Sequence, residues 1–278
     1  MHGKVKNKWV YYTVLGLVAL FFVLPVIIIV INSFKSRFVI MSEPFSLPMK
    51  DSFVGLENYF SGIKASGFFK AFGISLFVTV FSVGAIILCS AMTAWYIIRS
   101  KSLFTKILYY AFVFSMIVPF QMVMYTLTYV AVKIGFANPV GIIFIYLGFG
   151  AGLSVFMFSG FVKGIPREIE EAAKIDGCNI LQIFFRVVFP ILKPTTVTVA
   201  ILNAMWIWND YLLPYLILGS KYKTIPVAVQ LTMQGAYGSV DWGGFMAMLT
   251  LSIIPIILLY IFLQRYIIEG VLSGAVKG

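Results

Sequence analysis

Six apolar runs, each long enough to cross a bilayer, constrain this chain more than any other feature. They lie at Trp9–Asn32, Phe72–Ile98, Ile107–Val132, Pro139–Phe161, Thr195–Leu218 and Gly244–Tyr266. A helix needs about 20 apolar residues to cross the hydrocarbon, where only helices and closed barrels satisfy every backbone polar group. Composition closes the soluble alternative. Hydrophobic residues make up 61% and charged residues 11%, against about a quarter charged in a soluble domain. The first run continues past Phe21 and Phe22 to Ile31 without a small-residue cleavage site, so it reads as a span rather than a signal peptide. The expected fold is an all-α membrane protein with six transmembrane helices in one domain, residues 1–278.

Charge sets the expected orientation. The net charge of +11 is scattered in short clusters between the runs rather than gathered in one patch, which argues for a membrane and against nucleic acid. With the N-terminus inside, Lys4, Lys6 and Lys8 lie in the cytoplasm. So do Arg99, Lys101, Lys106, Lys163, Arg167, Lys174, Arg186, Lys193, Arg265 and Lys277. The two short outer connections hold Lys133, Lys221 and Lys223, and the longer Ser33–Ala71 connection carries five more basic residues. The bias places both termini in the cytoplasm.

The densest charge lies between the fourth and fifth runs, at Lys163–Pro194. Pro166 suits the first position of a short helix, and Glu168, Glu170 and Glu171 suit its first turn, near the positive end of the helix dipole. Ala172 and Ala173 offer a smooth surface, Gly177 breaks the helix, and Ile180, Ile183, Phe184 and Val187 resume an apolar face. This pattern describes either a knob for a cytoplasmic partner or a solvated loop.

The spacing of that stretch resembles the Glu-Ala-Ala loop of binding-protein-dependent ABC importers. Glu171, Ala172 and Ala173 are followed by three residues, Gly177, nine residues, and then Val187, Phe189 and Pro190. Val187 and Phe189 stand where the family pattern has Ile and Leu. Further segments are similar to carbohydrate-importer permeases: VGLENY at Val54–Tyr59, WNDYLLP at Trp208–Pro214, IPVAVQ at Ile225–Gln230 and DWGGFMAM at Asp241–Met248. QRY at Gln264–Tyr266 and the closing GAVKG add to these, and the ending resembles the smaller permease subunits of maltose-type importers.

The resemblance implies a type I importer permease that carries a sugar, most naturally a di- or oligosaccharide, with polyols and glycerol-phosphate esters as alternatives. Glu170, Glu171, Ala172, Ala173, Asp176, Gly177 and Pro190 would then form a coupling helix and its pivot against an ATPase. The tail Gly274, Ala275, Val276, Lys277 and Gly278 would reach the same ATPase or remain a frayed end. In the outer loop Gly219–Trp242, Gln234, Gly235, Tyr237 and Gly238 would meet an external sugar-binding protein. Asn209 and Asp210 are costly in hydrocarbon and should face a wet interior. Trp206 and Trp208 beside them suit either stacking on a sugar or an interfacial aromatic belt.

The implied partners are a second, homologous permease forming a heterodimer, two ATPase subunits, the external binding protein and membrane lipid. The implied location is a prokaryotic cytoplasmic membrane. No GxxxxGK[ST] sequence occurs, so ATP and its magnesium belong to the partner ATPases and this chain binds no cofactor. His2 is the one histidine and Asp210 the one acid within an apolar run. A metal site, a catalytic site and an ion-coupled carrier with several intramembrane charges are all disfavoured.

Overall fold

The computed structural model describes residues 8–233 and 240–275, the side chains of Leu263 and of residues 265–275 excepted. Helix follows helix: α1 (Lys8–Asn32), α2 (Arg37–Ser42), α3 (Glu57–Ser66), α4 (Phe68–Arg99), α5 (Leu103–Ser115), α6 (Phe120–Lys133), α7 (Gly141–Val162) and α8 (Arg167–Ile175). Then come α9 (Ile180–Gln182), a π-helical turn (Ile183–Val188), α10 (Phe189–Ile191), α11 (Lys193–Asn209), α12 (Leu212–Leu218), α13 (Ile225–Thr232) and α14 (Trp242–Ala275). Among the described residues, four helices are long and apolar enough to span alone, and two bent pairs raise the number to six.

One bent pair falls on a run expected to be continuous, and the other bends at the entry to α11, ahead of the expected Thr195–Leu218 run. The Ile107–Val132 run is two helices, α5 and α6, meeting at 104°. Pro119 lacks an N–H and holds an extended backbone at φ −66° and ψ 138°, and a proline also disfavours helical geometry in the residue before it. The segment Ile180–Ile191 meets α11 at 78°. The Thr195–Leu218 run is also interrupted, because Asp210 turns extended at ψ 122° between α11 and α12. Pro25 and Pro255, by contrast, lie inside α1 and α14.

The chain divides into two compact units, the first made of residues up to Phe69 with Ala228–Ile254, the second of Lys70–Val227 with the residues from Pro255 onward. In the first, α1 exposes apolar side chains along its length, as a lipid-facing helix does. Beyond it a polar knot closes the chain. Asn32 Nδ2 donates to Ile28 O at 3.0 Å and Pro44 O at 2.9 Å. The fully buried Lys35 donates through Nζ to Glu43 O at 3.0 Å and Ser46 Oγ at 3.2 Å. Burial lowers the pKa of this ammonium, and the Glu43 carboxylate opposes the shift. Asn58 Nδ2 donates to Ser33 O and Lys35 O, at 2.9 and 2.8 Å. Asp241 Oδ1 accepts from Gly244 N at 3.0 Å. A β-carbon on Gly243 would collide with the Asn58 side chain, and one on Gly62 would lie 2.9 Å from Met248 Cε. The VGLENY and DWGGFMAM segments are thus two halves of one close contact.

The second unit is built around α7, against which α5, α11 and α12 pack. Tyr146, Val155, Phe158 and Val162 on α7 are fully buried with Ile86, Phe184, Val188 and Val199. A β-carbon on Gly150 would sit 2.5 Å from Ile86 Cδ1, and one on Gly152 would sit 2.6 Å from Ser115 Oγ. A buried polar ladder joins α7 to α11: Asn203 Nδ2 donates to Ser154 Oγ at 3.2 Å, and Ser154 Oγ to Gly150 O at 2.7 Å.

Candidate functional site

The segment from α8 to α10 is set by its own caps. Pro166 stands at the N-cap, one residue before its expected place, and Glu168 and Glu170 share the first turn, leaving Glu171 to the second. At the far end Cys178 N donates to Ala173 O at 3.0 Å and Gly177 N to Lys174 O at 3.1 Å. This is a Schellman closure, and Gly177 supplies the left-handed residue it requires at φ +82°. Two residues later Asn179 and Gln182 form a reciprocal capping box that starts α9. Pro190 lies just past the π turn, where its missing N–H leaves the ordinary i to i−4 ladder incomplete. Phe189 N bonds instead to Phe184 O, five residues back.

The segment is tied to the end of α4 through one carboxylate. Arg99 donates to Glu170 Oε1 from Nε at 2.8 Å and from Nη2 at 2.6 Å. Trp95 Nε1 donates to the other oxygen, Oε2, at 3.0 Å. Arg99 Nη2 also reaches Ile165 O at 2.9 Å. Both charged side chains are mostly covered, at 17% and 13% exposure. Three charge-assisted donations therefore satisfy Glu170 from within the chain. Within the chain, the Glu170 carboxylate is spent on α4, unlike its neighbour Glu171.

The opposite face of α8 is open. Glu168, Glu171, Ala172 and Asp176 are exposed, and Ile175, Ile180 and Leu181 are exposed apolar side chains beside them. Ala173 is buried and packs with Phe184 in the core. Of the seven residues expected at the coupling surface, Glu171, Ala172 and Asp176 lie on the open face, and Ala173 and Gly177 shape it from beneath or at its end. Pro190, though exposed, belongs to the turn that follows. Sequence reasoning missed Trp95 and Arg99, because Arg99 counted only as a flanking positive charge.

The four residues at the end of α11 point different ways. Trp208 is buried, with its ring edge-on to Phe72 at 5.7 Å. Trp206 is 41% exposed and meets Tyr146 edge-on at 5.4 Å. Asn209 is exposed and donates to Met205 O at 2.7 Å. Asp210 accepts from Tyr146 Oη at 3.0 Å through Oδ2, and from the Leu212 and Leu213 amides at 3.1 and 3.4 Å through Oδ1. It caps α12 and ties it to α7. Trp206 and Asn209, three apart, share the open side. Gln234, Gly235, Tyr237 and Gly238 lie outside the described residues, as do Val276, Lys277 and Gly278, while Gly274 and Ala275 close the backbone of α14.

A family model for the inner membrane component of binding-protein-dependent transport systems matches residues 86–272. AmyC of Thermoanaerobacterium thermosulfurigenes, a probable starch degradation products transport system permease protein, is 39% identical over 272 residues, covering 95% of this chain and 96% of its own. MsmG of Streptococcus mutans, a multiple sugar-binding transport system permease protein, is 35% identical over 275 residues, covering 97% and 96%. In fold the chain is similar to one from a bacterial ABC transporter involved in the import of the acidic polysaccharide alginate, at a TM-score of 0.78 and 22% identity over 96% of this chain and 99% of that one. With apolar helices enough for a multi-pass membrane protein and a match across most of its length, this chain belongs to the binding-protein-dependent transport system inner membrane components, with the fold of an ABC importer permease.

Proposed function

We infer that this chain is a membrane-spanning subunit of an ABC importer for sugars, of di- or oligosaccharide size, delivered by an external binding protein. The relatives AmyC and MsmG support the substrate class, through their names as permeases for starch degradation products and for multiple sugars. ATP hydrolysis belongs to two partner ATPases, and this chain holds neither nucleotide nor magnesium. A second, homologous permease completes the pathway, and both termini face the cytoplasm.

The observation that carries the coupling role is the two-sidedness of α8. Its inner side is clamped to α4 through Glu170, while Glu171, Ala172 and Ile175 are left open. Such a face fits an apolar groove rimmed by basic groups on an ATPase. Trp206 and Asn209, both exposed on α11, would face a translocation path, and Gln234, Gly235, Tyr237 and Gly238 would meet the binding protein.

The test is reconstitution with the second permease, the ATPases and the binding protein, followed by uptake of labelled sugars from a panel that includes polyols and glycerol-phosphate. Glu171→Lys and Gly177→Asp should leave the chain inserted and abolish sugar-stimulated uptake. A charge-assisted contact of about 1–3 kcal/mol is removed by the first. Normal uptake by both variants would refute the coupling assignment, and uptake confined to polyols or phosphate esters would refute the sugar.

A further inference from the structure

Where α4 ends, α5 begins and α7 runs out, the second unit contains a basic cavity that the transport role does not use. Its volume is about 410 Å³, and its lining includes Lys101, Thr105, Lys106, Tyr109, Tyr110 and Lys163. That volume falls in the range of small-molecule sites, about 300–1,000 Å³. Lys101 comes from the α4–α5 connection, Lys106 from the first turns of α5 and Lys163 from the residue after α7, so three separate segments converge there. Among the described residues the one ion pair is Arg99–Glu170. Glu170 is therefore consumed by Arg99, and none of the three ammonium groups has a carboxylate within ion-pair distance. Lys163 Nζ lies 5.7 Å from the Tyr109 ring centroid, which draws it over the cavity wall. Ser102 and Thr105 satisfy each other in the cap of α5. The cavity thus offers cationic donors, with the positive end of α5 behind them.

Lysines that only flank a span project singly into water. Here they ring a hollow, and an apolar lane leads away from it. Leu103, Ile107, Tyr110 and Phe114 are exposed on α5 at intervals of three and four residues, which aligns them on one face. A group that fills the hollow and continues along this lane needs a phosphate at one end and hydrocarbon at the other. We propose that the Lys101–Lys106–Lys163 cavity holds the phosphate headgroup of an anionic membrane lipid, with its acyl chains lying along α5.

The experiment is native mass spectrometry of the complete, delipidated importer titrated with phosphatidylglycerol or with phosphatidylcholine of the same acyl chains. Each lysine near a membrane surface strengthens anionic-lipid association by about fivefold. The Lys101→Gln/Lys106→Gln/Lys163→Gln variant should therefore hold phosphatidylglycerol about 100-fold less tightly, with phosphatidylcholine unaffected. A control carrying Lys50→Gln, Lys64→Gln and Lys70→Gln should bind phosphatidylglycerol as the parent does. Unchanged binding by the first variant, or an equal loss in the control, would overturn the site. Displacement of the lipid by millimolar inorganic phosphate alone would also overturn it, by assigning the cavity to a soluble anion.

Discussion

Glu170 and Glu171 are adjacent and chemically identical, yet they face opposite surroundings. A helix advances about 100° per residue, so one carboxylate turns toward Trp95 and Arg99 while the other turns to the open side. Glu170→Gln should lower stability by about 1.5–3 kcal/mol, since a mostly covered arginine loses its charged acceptor. Glu171→Gln should leave stability unchanged and reduce uptake. Thermal unfolding in detergent beside uptake in proteoliposomes separates the two, and equal melting of both variants would refute the contrast. Lys35 gives a second prediction at this scale. Its folded pKa lies below the ordinary 10.5, so the unfolded chain binds the proton more tightly. Stability should then rise as pH climbs toward 10.5, and Lys35→Met should flatten that slope. A melting series in alkaline buffers, with the parent falling where a rise is expected, would count against it. Neither residue's role was legible in the sequence. Lys35 read as one of five positive charges in an outer connection, and the partners of Glu170 lie about 70 residues away along the chain.

Elements were more legible than their joints. The apolar runs announced α1, α4, α7 and α14 because length and hydropathy suffice for a helix in lipid. Breaks did not follow from the presence of proline, since Pro119 interrupts a run while Pro25 and Pro255 do not. Asp210 marks a break through ordinary side-chain capping, and the sequence offered it only as a costly acid. Helix approach was half visible. Gly148 and Gly152 stand four apart in α7, yet a β-carbon on Gly148 would meet nothing within 4 Å, while those on Gly150 and Gly152 would meet Ile86 and Ser115. Gly148→Ala should therefore be tolerated, whereas Gly150→Ala should cost about 1–3 kcal/mol by overpacking the α7 crossing. Expression and melting temperature of the two variants decide this, and equal tolerance would show that the crossing gives way.

At the scale of the whole molecule, the VGLENY and DWGGFMAM segments were legible as family marks long before their purpose was. They form one contact between α3 and the start of α14, with Gly62 and Gly243 permitting the approach. The tail carries a prediction at this scale. If it touches an ATPase, removing Gly274–Gly278 should lower substrate-stimulated ATP hydrolysis while insertion stays normal. Hydrolysis equal to the parent's would make the tail a frayed end.

The caps around Gly177 have a thermodynamic consequence. Fixing the backbone of a mobile residue costs about 1–2 kcal/mol, and a loop that ordered itself on contact would bear that penalty at each engagement. The stretch from Arg167 to Gln182 bears none of it, because the Schellman closure and the Asn179–Gln182 box hold its shape in the free chain. Under the proposed coupling role, a motor domain meeting this stretch would find a finished tooth, able to mesh and release at every stroke without melting in between.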